Sequence, residues 1–243
     1  MLEKKPETRG IRTKGLNYDT TPDGTFYYVM ELLDGFDLDA LVAKHGPQPP
    51  ERVVHILRQA CDSLGEAHAT GLVHRDVKPA DMNVCRYGRA VDFVKVLDFG
   101  MVKDALSEPG LTQMGTFAGT PHYAAPEMAQ GLLDQIDSRS DIYALGCVAF
   151  FLLTGRTPFV AETAMKLLMC HVNDAPEPAS AFVEGVPPEL VRVVLDCLEK
   201  DPSRRPASTD VLDERLAAVP LAESWSQDRA SDWWTRNVDT SGN

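Results

Sequence analysis

Apolar residues recur along this chain with two different periods. Near the start, Phe26-Tyr27-Tyr28-Val29-Met30-Glu31-Leu32 is rich in aromatic and β-branched side chains and predicts a strand. Thr21-Pro22-Asp23-Gly24 just before it is a turn signal, so a hairpin with a strand near residues 11–18 is expected. From Asp37 the period lengthens. Asp37 to Lys44 predicts a short helix closed by Gly46-Pro47. Over Pro50 to Ala69, the residues Val53, Val54, Ile56, Leu57, Ala60, Cys61 and Leu64 form a helical stripe. Pro50 suits its first turn and Gly71 its stop. Val84-Cys85-Arg86 and Phe93 to Leu97 predict a short strand pair across a turn at Tyr87-Gly88. Further helices are expected over Asp141–Leu153, Ala161–Val172, Pro188–Glu199 and Ser208–Ala218, separated by Pro and Gly clusters. Residues 98–127 are rich in Gly, Thr and Pro without regular periodicity, and loops of that length inside a compact domain are usually functional. A little β-structure followed by a helix-rich body supports an α+β fold class.

Composition narrows the function classes. A chain of 243 residues can bury a substantial core, and 44% hydrophobic with 25% charged residues is ordinary for a globular protein. The net charge of -12 argues against a nucleic-acid surface and against attraction to anionic lipid. The five cysteines are widely spread, odd in number and without a CxxC pair. They suggest neither a disulfide framework nor a zinc site, and a reducing, cytoplasmic setting fits them. Charged residues near Met1 are not followed by an apolar segment, so a secretory signal is not expected. The longest apolar run, Ala144 to Leu153, is too short to span a bilayer and predicts a buried helix.

The candidate chemistry is concentrated in three motifs. They are His74-Arg75-Asp76-Val77-Lys78-Pro79-Ala80-Asp81, then Asp98-Phe99-Gly100, then Ala125-Pro126-Glu127. Phosphoryl transfer requires a group that orients the nucleophilic hydroxyl, a cation near the transferred phosphate, and metal ligands. Asp76 can accept or orient the hydroxyl proton, Lys78 can neutralise charge on phosphoryl oxygens, and Asp98 is a hard oxygen ligand suited to Mg²⁺. His68 and His74 have no partner at metal-ligand spacing.

In this order and spacing the three motifs resemble the catalytic loop, metal-binding motif and activation-segment anchor of protein kinases. The likeness extends from about Phe26 to Pro206, and its flavour is similar to bacterial serine/threonine kinases of the eukaryotic-like type. It implies a protein-kinase-like fold: a remnant of the small-lobe β-sheet with the hinge over 1–33, a mainly helical large lobe over 34–219, and a C-terminal tail over 220–243. It implies transfer of a phosphoryl group from ATP, with Mg²⁺, to serine or threonine hydroxyls of a protein substrate. Asp76 would be the catalytic base, with Lys78 and Thr120 beside it, and Asp81 and Asp98 the metal ligands. Met30, Glu31 and Leu33 lie in the stretch similar to the adenine-holding hinge. Asn83 falls where the family places an apolar residue beneath adenine. Asp37 falls where the family places a ribose-contacting acid, and it suits a helix N-cap equally well. Asp141 resembles the buried aspartate that anchors the catalytic loop, and Arg205 the arginine that pairs with Glu127. Arg75 resembles the arginine that binds a phosphorylated activation loop, with Thr112 and Thr116 as candidate phosphosites. The Trp233-Trp234 pair in the tail is expected to dock on the large lobe.

The sequence departs from the family in two places. No GxGxxG loop and no lysine in Val-Ala-Ile-Lys context precede the hinge. Most of the small lobe is therefore expected to be missing, encoded upstream, or supplied by a partner. Asp81 stands where the family has Asn, which keeps an oxygen ligand, removes an N–H donor and adds a negative charge near Asp76. An impaired, partner-binding pseudokinase is thus an alternative to an active kinase. A nucleotide- or metal-binding protein matching by chance is the third reading.

Overall fold

The structure is a computed structural model that describes residues 17–21, 23, 25–29, 31–99 and 119–238. Met30, Thr112 and Thr116 lie outside the described residues. Strands β1 (Asn17–Thr20) and β2 (Phe26–Val29) pair antiparallel, with Asn17 opposite Val29 and Thr20 opposite Phe26. The turn between them is closed by Thr21 N–H on Thr25 O at 2.9 Å. The hairpin is where the turn signal put it, with its first strand slightly later in sequence than expected.

A second sheet holds β3 (Asp34–Asp37), β4 (Met82–Tyr87) and β5 (Ala90–Val96) in the order β3-β4-β5, all antiparallel. Asp37 lies opposite Asn83, and Asn83 opposite Lys95. The strand continues through Tyr87, so the turn is Gly88-Arg89 rather than Tyr87-Gly88. Side chains alternate across a strand. Asp37, Asn83 and Lys95 therefore share one face of this sheet, and Phe36, Val84, Asp92 and Val94 share the other.

Helices make up the rest of the body. α1 (Leu38–His45) follows β3 directly, and α2 (Pro50–Ala69) has the predicted boundaries, its stripe fully buried. After β5 come the short α3 (Pro126–Ala129), then α4 (Ser138–Thr154), α5 (Ala164–Asn173), α6 (Pro188–Cys197), α7 (Thr209–Ala217) and α8 (Gln227–Asn237). Helix α5 begins three residues later than the sequence predicts, because the Thr163 side chain caps it by accepting from Lys166 N–H at 3.2 Å. Ser208 caps α7 in the same way.

α4 is the central strut. Its apolar run is buried throughout except at the half-buried Phe151, as expected for a helix running through the core rather than along its surface. Gly146 lets it approach α6 closely, since a Cβ there would stand 2.7 Å from Cys197 Cβ. All five cysteines are unpaired and four are buried. Among the described residues, no helix is long and apolar enough to cross a membrane.

Candidate active site

The loop between α2 and β4 carries the candidate chemistry, and α4 fixes its backbone. Asp141, buried in the first turn of α4, accepts from His74 N–H at 2.8 Å through Oδ2 and from Arg75 N–H at 2.8 Å through Oδ1. These bonds hold Arg75 in a left-handed conformation, φ 70°, which a non-glycine residue keeps only when its surroundings impose it. His68 Nε2 also lies 2.8 Å from Asp141 Oδ2. His74 is buried, with Nε2 2.9 Å from Leu97 O and its ring 4.9 Å from that of Phe99. Both histidines thus help to hold the loop through hydrogen bonds.

A 3₁₀ turn, Pro79–Asp81, completes the loop. Leu97 N–H donates to Asp81 O at 2.8 Å, which stitches the loop to the end of β5. Asp98 follows immediately, exposed and left-handed at φ 59°. Asp76, Lys78, Asp81 and Asp98 are therefore presented from two adjoining backbone segments tied by a main-chain bond.

Lys78 Nζ donates to Asp76 Oδ2 at 2.5 Å and stands 3.2 Å from Asp81 Oδ2. Partial burial alone would lower the Lys78 ammonium, but the two carboxylates outweigh it and hold the group above its ordinary value. The other oxygen of Asp76, Oδ1, accepts from Thr120 N–H at 2.9 Å. Thr120 meets Asp76 through its main chain. Burial raises the Asp81 carboxyl; Lys78 opposes this, and the charges of Asp76 and Asp98 add to it.

Asp39, which sequence reasoning missed, belongs to the same negative field. Burial raises its carboxyl first, followed by the charges of Asp37 and Asp81. No local motif marks it, because its proximity to Asp81 comes from the packing of α1 on the 3₁₀ turn. Asp37 takes the helix-capping role: its Oδ1 accepts from Ala40 N–H at 2.7 Å. Glu31 is ion-paired with Lys95, whose ammonium also lies 4.4 Å from the Tyr87 ring centre. Leu33 is half-buried and Asn83 sits on the Asp37 face of the sheet.

The residues present fit a hard divalent cation that shares its coordination with phosphate and water. Asp81 and Asp98 offer carboxylate oxygens from two adjoining backbone segments, the hard donors such a cation prefers. Among the described residues, no group of three or more His, Cys, Asp or Glu is arranged to enclose a metal unaided.

Behind the site, Glu127 of α3 and Arg205 form a fully buried pair, Oε1 to Nη1 at 2.8 Å and Oε2 to Nη2 at 2.9 Å. Arg205 also donates to the carbonyls of Arg139, Glu199 and Lys200, and Ser140 Oγ donates to Glu127 Oε1 at 2.6 Å. Every oxygen and nitrogen of the pair thus has a partner, the condition under which a buried ion pair is tolerated. The pair pins α3, and with it the segment from Thr120 to Ala125, against the body.

Comparison with known proteins agrees with this arrangement. The protein kinase domain family model matches residues 11–216. The chain is 40% identical over 195 residues to the serine/threonine-protein kinase PknB of Mycobacterium tuberculosis, covering 77% of this chain and 30% of that protein. It is 37% identical over 209 residues to the serine/threonine-protein kinase pkn3 of Myxococcus xanthus, covering 84% of this chain and 38% of that protein. The chain thus spans about a third of the length of these relatives. Among solved structures, Rad53 1-466 in complex with AMP-PNP superposes with a TM-score of 0.63 at 27% identity, covering 87% of this chain and 51% of that one. The Mycobacterium tuberculosis PknI kinase domain shares the fold, with a TM-score of 0.61 over 86% of this chain and 72% of that one, at 24% identity. A buried aspartate holding the loop, a loop holding Asp76, and a match across most of the chain lead to one assignment: this chain belongs to the family of eukaryotic-like bacterial serine/threonine protein kinases.

Proposed function

We propose that this chain transfers a phosphoryl group from Mg²⁺-bound ATP to serine or threonine hydroxyls of a protein. The observation that carries this reading is the Asp76 carboxylate, fixed by Thr120 N–H at 2.9 Å and Lys78 Nζ at 2.5 Å within a loop anchored to Asp141. A carboxylate held on both oxygens is oriented before substrate arrives, and positioning supplies most of the catalysis in this chemistry. Asp76 accepts the proton of the attacking hydroxyl, and Lys78 beside it stabilises negative charge on the phosphoryl oxygens. Thr120 positions Asp76 and the acceptor segment. Asp81 and Asp98 would hold Mg²⁺, which supplies charge neutralisation between phosphates.

Met30, Glu31 and Leu33 would hold the adenine, with Asn83 beneath it. The Glu31 carboxylate is engaged by Lys95, which leaves the main chain for recognition. Asp37 retains one carboxylate oxygen beyond its capping bond for a ribose hydroxyl. Residues 34–219 form the catalytic body, 1–33 the hinge-side segment and 220–243 a tail. Arg75 would bind a phosphate on Thr112 or Thr116.

The test is incubation with labelled ATP, Mg²⁺ and a protein rich in serine and threonine. Label on serine or threonine that disappears with Asp76→Asn supports the reading. Equal labelling by both proteins, or none by either with the hinge-side sheet completed, overturns it.

A further inference from the structure

We propose that the C-terminal segment from Trp225 to Asn237 positions the sheet that carries the nucleotide-facing residues; this rests on the nucleotide reading given above. The three-stranded sheet has two faces. One presents Asp37, Asn83 and Lys95, and the other presents Phe36, Val84, Asp92 and Val94. Helix α2 and the tail cover the second face together.

Its attachment centres on Asp92, which is fully buried and left-handed at φ 53°. Arg52 of α2 donates to both carboxylate oxygens, Nε to Oδ2 and Nη2 to Oδ1, each at 2.7 Å. Trp225 Nε1 donates to Oδ2 at 2.8 Å and Trp234 Nε1 to Oδ1 at 2.5 Å. The carboxylate therefore receives four donors, two from the core and two from the tail. The Arg52 guanidinium lies 3.7 Å from the Trp233 ring centre and 5.2 Å from that of Trp225. Such a desolvated cation over aromatic faces is strongly held.

The same segment reaches the strand that carries Asp37. The Trp234 ring stacks on Phe36, centroids 5.2 Å apart at 19°. Trp233 packs edge-on against His45 of α1 at 4.8 Å. Phe36 precedes Asp37 and pairs with Val84, which follows Asn83. At Gly35 the strand is so close to β4 that a Cβ would fall 2.1 Å from Val84 O. β3 is thus held between β4 and the tail, and a shift of Trp234 is transmitted to Asp37 and Asn83 on the opposite face. Trp234, Asp92 and Phe36 are positioning residues; none of them faces the cleft.

The experiment uses the full chain with three substitutions. Trp234→Phe keeps a ring and removes the donor to Asp92; Phe36→Leu removes the stack; Leu190→Ala is a control on α6 that destabilises the core away from the sheet. Affinity for Mg²⁺-AMP-PNP is measured by calorimetry well below each Tm, together with amide exchange over 34–37 and 82–87. Trp234→Phe and Phe36→Leu are expected to weaken binding about three- to tenfold, the size set by one lost hydrogen bond in the first and one lost ring stack in the second, and Leu190→Ala is expected to leave it unchanged. Faster exchange in the sheet should accompany the first two only. Unaltered affinity in both tail-contact variants, with Tm lowered, would overturn the proposal and leave the tail a stability clamp. Should the unsubstituted chain bind no nucleotide, it is the proposed function that fails. Exchange then decides the brace alone: acceleration confined to Trp234→Phe and Phe36→Leu supports it, and none overturns it.

Discussion

Lys78 is shared between two carboxylates, bonded to Asp76 at 2.5 Å and standing 3.2 Å from Asp81. In this loop the residue at position 81 is an aspartate where the family has asparagine, and Lys78 partly offsets the added charge. The loop also retains its shape through main-chain bonds, since Asp81 N–H donates to Lys78 O at 3.1 Å and Leu97 N–H to Asp81 O. The aspartate therefore bears on Lys78, whose ammonium is divided between Asp81 and Asp76.

Asp81→Asn should release Lys78 toward Asp76 and the phosphoryl oxygens. Phosphotransfer is expected to rise by about tenfold, equivalent to ~1.4 kcal/mol of transition-state stabilisation. Binding of Mg²⁺ without nucleotide, followed by calorimetry, should weaken at the same time, because an anionic ligand is lost. A fall in both would show that Asp81 is the better residue in this setting.

Asp76→Asn preserves size and one acceptor oxygen while removing the base. Phosphotransfer is expected to fall by about 10²–10⁴-fold, with stability changed by no more than ~1 kcal/mol. Single-turnover kinetics and a urea denaturation curve measure the two separately. A large loss of stability with residual chemistry would reverse the assignment of Asp76 from base to scaffold.

Strong periodicity made the body readable from sequence. The stripe from Val53 to Leu64 fixed α2 at both ends because Pro50 and Gly71 bracket it. The residues Asp76, Lys78 and Asp81 are neighbours in the chain, so a motif could find them together. Three elements went unread: β3, the single-turn α3 and α8. Asp34-Gly35-Phe36-Asp37 reads as turn-forming, and becomes β3 only through its pairing with β4. Helix α8 is polar apart from Ala230, Trp233 and Trp234, and its stability comes from docking on Asp92 and Phe36 rather than from any internal pattern. Asp92 belongs to no motif and precedes the strand predicted from Phe93. Its four donors come from positions 52, 225 and 234, and that convergence exists only in three dimensions.

Glu127→Gln should lower stability by about 3–5 kcal/mol, since it leaves Arg205 charged and buried without its counterion. The pH dependence gives an independent check. Burial pushes the Glu127 carboxyl up, but the bonds from Arg205 and Ser140 outweigh it and hold the group below 4.5. A depressed folded-state value means the contribution is fully present above the unfolded value and is lost as pH falls through the folded one. Acid denaturation of the unsubstituted protein should therefore include a loss of stability below about pH 4.5 that is absent from Glu127→Gln. Parallel acid limbs in the two proteins would count against this role.

Lys200 gives a slope of the same sign at the alkaline end, because its folded-state value is also depressed. Its ammonium donates to His171 O at 2.8 Å and lies 4.4 Å from the Phe159 ring centre, and burial pulls it from 10.5 down to about 8. Between those two values the unfolded chain holds a proton that the folded chain has released. Stability therefore rises with pH across that window as far as this group is concerned. Lys200→Met keeps the length of the side chain and abolishes its titration. The stability difference, unsubstituted minus Lys200→Met, should accordingly grow in favour of the unsubstituted protein between about pH 8 and 10 in urea titrations. Contributions from Tyr143 and the buried cysteines are common to both proteins and cancel to first order. A difference that stays flat across the window would mean Lys200 remains charged in the fold, held by Tyr143 and Phe159 more firmly than its burial implies.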